Sequence, residues 1–382
     1  MGRAAIRAWY LVHKWTSLVC TLFLLMLCVT GLPLIFHDEI HELQGHAGEM
    51  PPVAPGRAAP TLDQVVAKAL AARPGEVVQT LGFDPDRPVL SVITAKTLET
   101  PFDQAHLAYF DLRTGDPATG PPQNEGFLWV MEELHIRMFA GQWGTYFLGV
   151  MGALFVVSLV SGIVVYAPFM RKLDFATVRT GRSKRLKWLD LHNFLGIATV
   201  AWLLVVGFTG AFNTLDRPLA EQFRTGQLAD MTRPYVNAPP LQRLGSVDKA
   251  VEVAKAASPG MEPVTIAYPG TFFGTPHHYN VFLRGDSPVT ERLLKPTLVE
   301  ADTGKLTDTR HMDWHIRALF LSRPLHFGDY GGMLLKIVGA VLDLVAIFVL
   351  VSGLVLWFQR WRAPLDKRLD ELETGAAAEG RA

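Results

Sequence analysis

The chain has 382 residues, of which 49% are apolar and 19% charged, with 36 Lys and Arg balancing 36 Asp and Glu. Zero net charge removes the basic footprint that nucleic-acid binding needs, and so low a charged fraction is unusual for a soluble domain. Cys20 and Cys28 lie eight residues apart in one apolar stretch, too far along a helix to bridge, so disulfide frameworks and cysteine metal sites are excluded and twelve histidines remain as the ligand stock.

In chain order, four apolar windows, 15–36, 145–166, 194–215 and 337–358, each exceed the roughly 20 residues a helix needs to cross a bilayer. Asp343 is the one charge inside them. The first window is longer than a signal-peptide core and no small-x-small cleavage site follows it, so it reads as a retained span. Basic residues crowd the N-terminus (Arg3, Arg7, Lys14), the segment between spans two and three (Arg171, Lys172, Arg179, Arg182, Lys184, Arg185, Lys187) and the tail (Arg360, Arg362, Lys367, Arg368). The positive-inside rule then puts both termini and that short segment in the cytoplasm, and the two long segments outside, in the periplasm of a Gram-negative cell whose inner membrane holds the spans.

The expected organisation is an N-terminal cytoplasmic end with span one (1–36), a first outer module (37–143), span two (144–167) and a basic loop (168–190). Span three (191–215), a second outer module (216–332), span four (333–358) and a cytoplasmic tail (359–382) follow. Each outer module opens with a capped helix: Thr61 and Ser246 each stand 13 residues ahead of a Pro-Gly stop, Pro74-Gly75 and Pro259-Gly260, and Thr61 with Gln64 makes a capping box. Short β-patterned runs come next, at 77–83, 88–95 and 107–112 in the first module and at 264–268, 279–283 and 297–300 in the second. Residues 47–60, rich in Pro, read as a linker. The fold class expected is an integral membrane α-helical protein, a four-helix transmembrane bundle with internal duplication, carrying two small α+β modules.

The histidines follow the same repeat. His13 precedes Gly31 by 18 residues and His192 precedes Gly210 by 18; His135 precedes Ser161-Gly162, and His326 precedes Ser352-Gly353, by 26. In a bundle with a pseudo-twofold axis, His13 and His192 meet at the cytoplasmic end and His135 and His326 at the periplasmic end. With small residues such as Gly31, Gly149, Gly196 and Gly210 nearby, such pairs suit axial ligation of haem iron. No C-x-x-C-H motif is present, so the expected cofactors are two non-covalent haems of b type. His315 rivals His326, because His315-Ile316-Arg317 repeats His135-Ile136-Arg137.

The remaining candidates carry less pattern. His37 and His41 could share a helix face, His46 and His106 have no second signal, and His277-His278 fall in a loop before a strand. His311 and His315 are four apart, candidates to support the ligands of the proposed outer site or to face its substrate. Asp343 is open to reading as a proton relay, a partner to a ligand histidine or an Asp satisfied by hydroxyls, and Lys336 is expected to snorkel outward. Arg137, Arg317 and Arg323 lie near the outer site, as propionate partners or headgroup anchors.

Leu134-His135 before span two, Pro324-Leu325-His326-Phe327-Gly328 before span four, the Ser-Gly pairs and the duplicated outer modules resemble the PepSY-associated transmembrane helix family, from about residue 13 to residue 360. The resemblance implies PepSY-like periplasmic modules and a relation to inner-membrane di-haem ferrisiderophore reductases. It also implies His13 and His192 on the inner haem, His135 and His326 on the outer, and a ferric-siderophore substrate facing the modules. No G-x-G-x-x-G strand-helix unit is present, so electrons must come from a cytoplasmic reductant, a partner protein or a quinol. Membrane lipid surrounds the spans. The alternative from another class is a membrane-anchored PepSY binding, inhibitory or sensory protein without redox activity, and anchoring needs no register-matched histidines. A transporter fits less well, since only Asp343 sits near the midplane.

Overall fold

The computed structural model describes residues 2–46, 50–170, 178–179 and 183–360. The basic residues Arg171, Lys172, Arg182, Arg362, Lys367 and Arg368 and part of the linker, 47–49, lie outside them. In order, the helices are α1 (Arg3–Ile35), α2 (His37–Leu43), α3 (Leu62–Ala72), α4 (Gly126–Ile136), α5 (Gly141–Met170), α6 (Lys184–Asn213) and α7 (Asp216–Phe223). They continue with the short α8 (Ala229–Met231), α9 (Val247–Ala257), α10 (Trp314–Phe327) and α11 (Gly332–Arg360). The strands are β1 (Val77–Phe83), β2 (Val89–Ala95), β3 (His106–Asp111), β4 (Glu262–Ala267), β5 (His278–Arg284), β6 (Lys295–Glu300) and β7 (Leu306–Thr309). The chain divides into two compact units, one holding α1, α5, α6 and α11, the other the sheet with its helices.

The first unit is a bundle of four helices, each long and apolar enough to cross a membrane. They form a ring in which α1 and α6 each pack on both α5 and α11, so α1 faces α6 across the middle. Cys20, Leu24 and Met151 are buried at the α1–α5 seam, with Phe155 and Leu350 against them. Backbones approach closely where side chains are absent, as where a Cβ on Gly149 would meet the Thr214 hydroxyl. The turn from α4 into α5 is tight. Met138 and Phe139 both take positive φ, 54° and 56°, a costly conformation for side chains of this size, and a Cβ on Gly144 would strike the Arg137 carbonyl. Gly328 and Gly332, at φ 82° and 56°, relieve the corresponding turn between α10 and α11.

The second unit is one antiparallel sheet of seven strands in the order β3-β2-β1-β4-β5-β6-β7. The strands expected from the two outer modules are therefore joined edge to edge through β1 and β4, with Leu81 opposite Ile266, and β7 is a strand the pattern had not marked. Alternation does the rest: Tyr279, Val281 and Leu283 of β5 face the core under α3 and α9, while Phe282 faces a second cluster with Phe223, Leu228, Met231 and Ile316. The N-termini of α3 and α9 meet and cap each other. Asp248 accepts from Leu62 N at 2.8 Å and Asp63 N at 2.9 Å, and Asp63 accepts from Val247 N at 2.9 Å. Thr61 and Ser246 supply the local caps, Thr61 within a full capping box. First-turn amides that would otherwise be orphaned are thus satisfied across the seam.

Replacing Asp248 by Ala removes the acceptor for two first-turn amides of α3, so a loss of about 1–2 kcal/mol of stability is expected for the sheet unit. Differential scanning of the full chain in detergent checks it: a lower Tm for Asp248→Ala than for wild type is the expected outcome, with Asp63→Ala moving the same way through α9.

Candidate functional site

His13 lies in the third turn of α1 and His192 in the third turn of α6, and their ring centroids are 6.4 Å apart at one end of the bundle. At the other end, His135 on α4 and His326 on α10 stand 6.2 Å apart. These spacings lie at the wide end of edge-on ring contact. They match two imidazoles on opposite sides of one metal ion, which with metal–nitrogen bonds of about 2 Å puts the ring centres about 6 Å apart.

Each ring is held in the same way. His13 Nδ1 donates to the Ser158 carbonyl at 2.9 Å, His192 Nδ1 to the Val349 carbonyl at 3.1 Å and His326 Nδ1 to the Val206 carbonyl at 3.0 Å; His135 bonds to the Leu27 carbonyl. Each acceptor lies four residues before a glycine, Gly162, Gly353, Gly210 and Gly31. A Cβ on those glycines would meet the same histidine's Cε1 at 3.1, 3.4, 2.8 and 3.0 Å. The missing side chain is a notch that admits the ring to a helix carbonyl, whose second lone pair is available. The hydroxyl preceding the glycine adds a contact to Nδ1 in three of the four: Ser352 at 2.9 Å, Thr30 at 3.0 Å and Thr209 at 3.4 Å. A carbonyl only accepts, so Nδ1 carries the proton and Nε2 keeps its lone pair. All four rings are fixed in the tautomer that ligates a metal through Nε2.

The Thr-Gly and Ser-Gly pairs visible in the sequence are thus not partners of the histidine on their own span. Thr30-Gly31 of α1 receives His135, Ser161-Gly162 of α5 receives His13, Thr209-Gly210 of α6 receives His326 and Ser352-Gly353 of α11 receives His192. Of the four small residues singled out in the sequence, Gly31 and Gly210 meet histidines, while Gly149 meets Thr214 and Gly196 meets Val349. Beside the first pair, Asp190 takes a two-pronged bond from Arg179, Nη2 at 2.7 Å and Nε at 3.0 Å, which ties down the start of α6 two residues before His192. That ion pair had no sequence signal beyond the basic segment itself.

Other candidates fall elsewhere. It is His326, eleven residues beyond His315, that stands opposite His135; the His315 ring lies beside Trp314. Arg137 pairs with Glu133 one turn earlier on α4. His37 Nδ1 bonds the Leu34 carbonyl, His41 and His46 meet through their Nδ1 atoms at 3.2 Å around the Gly45 turn, and His106 pairs with Glu76. Among the described residues, no group of three or more His, Cys, Asp or Glu is arranged to hold a metal ion. Lys336, expected to reach outward, is instead 7% exposed, and Asp343 is buried on the same helix. Within the sheet unit, a half-open cavity of about 920 Å³ is lined by Tyr235, Tyr268, Tyr279 and His277 among others. His278 beside it is fully buried, bonded by Nδ1 to the Thr275 hydroxyl at 2.7 Å and packed edge-on against Tyr235.

A bundle of four membrane-spanning helices with an opposed, carbonyl-locked histidine pair at each end defines a membrane protein of the paired-histidine type, joined to a separate antiparallel sheet. The chain belongs to the PepSY-associated TM region family, whose profile matches residues 10–360. It is also 25% identical over 262 residues to a protein of Pseudomonas aeruginosa described as uncharacterized, a match that covers 63% of this chain and 65% of that relative. The chain therefore spans just under two thirds of that relative's length.

Burial holds the His278 ring neutral, its pKa pushed down to about 4 from 6.5. The unfolded chain then binds the extra proton between those values, so the His278 contribution to stability is fully present above pH 6.5 and is lost as pH drops through the window toward 4. Denaturation of wild type and His278→Gln across that window checks this, the variant losing the His278 share of the pH dependence.

Proposed function

We propose that this chain is a di-haem membrane reductase that carries electrons from the cytoplasmic side to a periplasmic ferric chelate, in the class of ferrisiderophore reductases. The observation that carries the reading is the pair of opposed imidazole couples, at 6.4 and 6.2 Å, each with Nδ1 tied to a helix carbonyl and Nε2 free to ligate. The donor set fits haem b: neutral imidazoles, a glycine against the Cε1 atom of each ring and an apolar surround, with no C-x-x-C-H attachment. His13 and His192 would hold the inner group, and His135 and His326 the outer one. When bound, a haem supplies reversible one-electron storage.

The protein's own residues do the remaining work. The four carbonyl bonds fix ring orientation and basicity, the helices exclude water, and the 18 residues from His13 to Gly31 set the two levels about 27 Å apart along α1, close to the thickness of a hydrocarbon core. One site could not reach both faces. Arg3, Arg7, Lys14, Lys184, Arg185 and Lys187 favour the His13 end as cytoplasmic, where a soluble reductant or a quinol would deliver electrons. Both long inserts leave and rejoin the bundle near His135 and His326, which favours periplasmic exposure of the sheet in an inner-membrane protein. We read the mutual caps of α3 and α9 and the matched histidine notches as traces of internal duplication, with each half contributing one PepSY-like module. Reducing Fe(III) weakens its hard-oxygen coordination and frees the metal from the carrier. The cavity beside Tyr235 and His277 favours a second reading, a membrane-anchored PepSY binding or sensory protein without redox chemistry.

The purified protein's reduced-minus-oxidised spectrum separates the two. Two b-type haems per chain are expected; absence of b-type bands overturns the reductase. His13→Ala or His192→Ala should remove one haem, His135→Ala or His326→Ala the other, and His315→Ala neither. Gly210→Val, whose Cβ would press the His326 ring, should lower outer-haem occupancy while leaving the inner haem in place.

A further inference from the structure

Between the two histidine pairs the bundle holds a carboxyl group that neither uses. Asp343 of α11 is 8% exposed, and its Oδ2 has no hydrogen-bond partner. Cys28 of α1 shares a side-chain hydrogen bond with it. Cys28 follows Leu27, whose carbonyl holds His135, and precedes Gly31 by one turn, so Asp343 lies close to the level of the outer pair. Gly353, which receives His192, is ten residues further along α11, about 15 Å.

The surroundings are sparse in other titratable groups. α11 packs on α1 and α6. Among the described residues, α1 offers Cys28 at this depth and the buried Cys20 about 12 Å nearer the His13 end, α6 offers no ionisable side chain between His192 and Asp216, and α11 itself carries Lys336 two turns away. A carboxyl group retained inside a bilayer with one oxygen unsatisfied marks a charge-handling site. An electron arriving nearby is an added like charge, which raises a carboxylate's affinity for a proton, and the effect is large where the dielectric is low.

We propose that Asp343 is a redox-linked proton site: one electron entering the outer centre is matched by one proton taken from solvent onto the Asp343 carboxylate. The proton leaves when the electron passes on to the ferric substrate. The balance is one electron from the cytoplasmic donor and one proton from water, leaving the net charge of the buried region unchanged; no bond other than the carboxylic O–H forms or breaks. The inference rests on the haem reading above.

Spectroelectrochemical titration of the haem-loaded full chain across the neutral pH range tests it. One of the two midpoint potentials should fall with pH by up to about 59 mV per unit, the tenfold-per-unit linkage of one proton to one electron. Asp343→Asn should flatten that potential, leave the other unchanged and keep two haems per chain, and Asp343→Glu should restore the slope. An equal slope in Asp343→Asn, or two flat potentials in wild type, overturns the inference. Should Asp343→Asn load haem poorly, reduced-minus-oxidised infrared spectra of wild type decide: a protonated-carboxyl band appearing on reduction supports the assignment and its absence refutes it. A haem-free preparation would instead overturn the reductase reading itself, whereas flat potentials in haem-loaded protein overturn only the role of Asp343.

Discussion

The membrane unit depends on one contact made four times, an imidazole N–H donated to the carbonyl of a neighbouring helix through the gap left by a glycine. Inside hydrocarbon a polar ring must find a partner in protein, and helix carbonyls are already engaged by their own N–H groups. Only where the residue four positions on lacks a Cβ does a second donor reach the oxygen. The notch therefore dictates the glycine and the neighbouring helix that carries it. It also dictates which nitrogen of the ring is left bare, and hence what the ring can do chemically.

That contact explains why histidine and glycine sit at opposite ends of the bundle helices. α1 offers His13 at one end and receives His135 at the other; α6 offers His192 and receives His326. The His13 and His192 bonds tie α1 to α5 and α6 to α11 at one end, and those of His135 and His326 tie α4 to α1 and α10 to α6 at the other. The strained Met138-Phe139 turn and the Gly328 and Gly332 turns bring α4 and α10 back to the bundle, which lets His135 and His326 enter their notches.

The sheet unit solves a different problem with the same economy of parts. Two short helices, each too short to be stable alone, are pinned by exchanging carboxylates across their N-termini and by covering one face of a sheet that spans both halves of the chain. Central strands such as β5 are covered on both faces, which is why His278 and Asn280, alternating with Tyr279 and Val281, are buried polar groups in its middle.

Much of this was legible because it is periodic or local. The four spans follow from uninterrupted apolar length, α3 and α9 from Thr61, Ser246 and their Pro-Gly stops, and six of the strands from alternation, since burial on one face or all round leaves its mark residue by residue. The four histidines and the Ser-Gly and Thr-Gly pairs were visible as fixed intervals too. What the intervals could not convey is which partner each serves, because a spacing along one helix says nothing about the neighbour that approaches it. The joining of β1 to β4, the Arg179–Asp190 bond, the burial of Lys336 and the meeting of Asp343 with Cys28 all connect residues remote in the chain. The sequence by itself determined the four spans, α3 and α9, six of the seven strands and the stock of ligands; the tertiary structure decided the pairing, since only packing brings a histidine of one helix to the glycine of another.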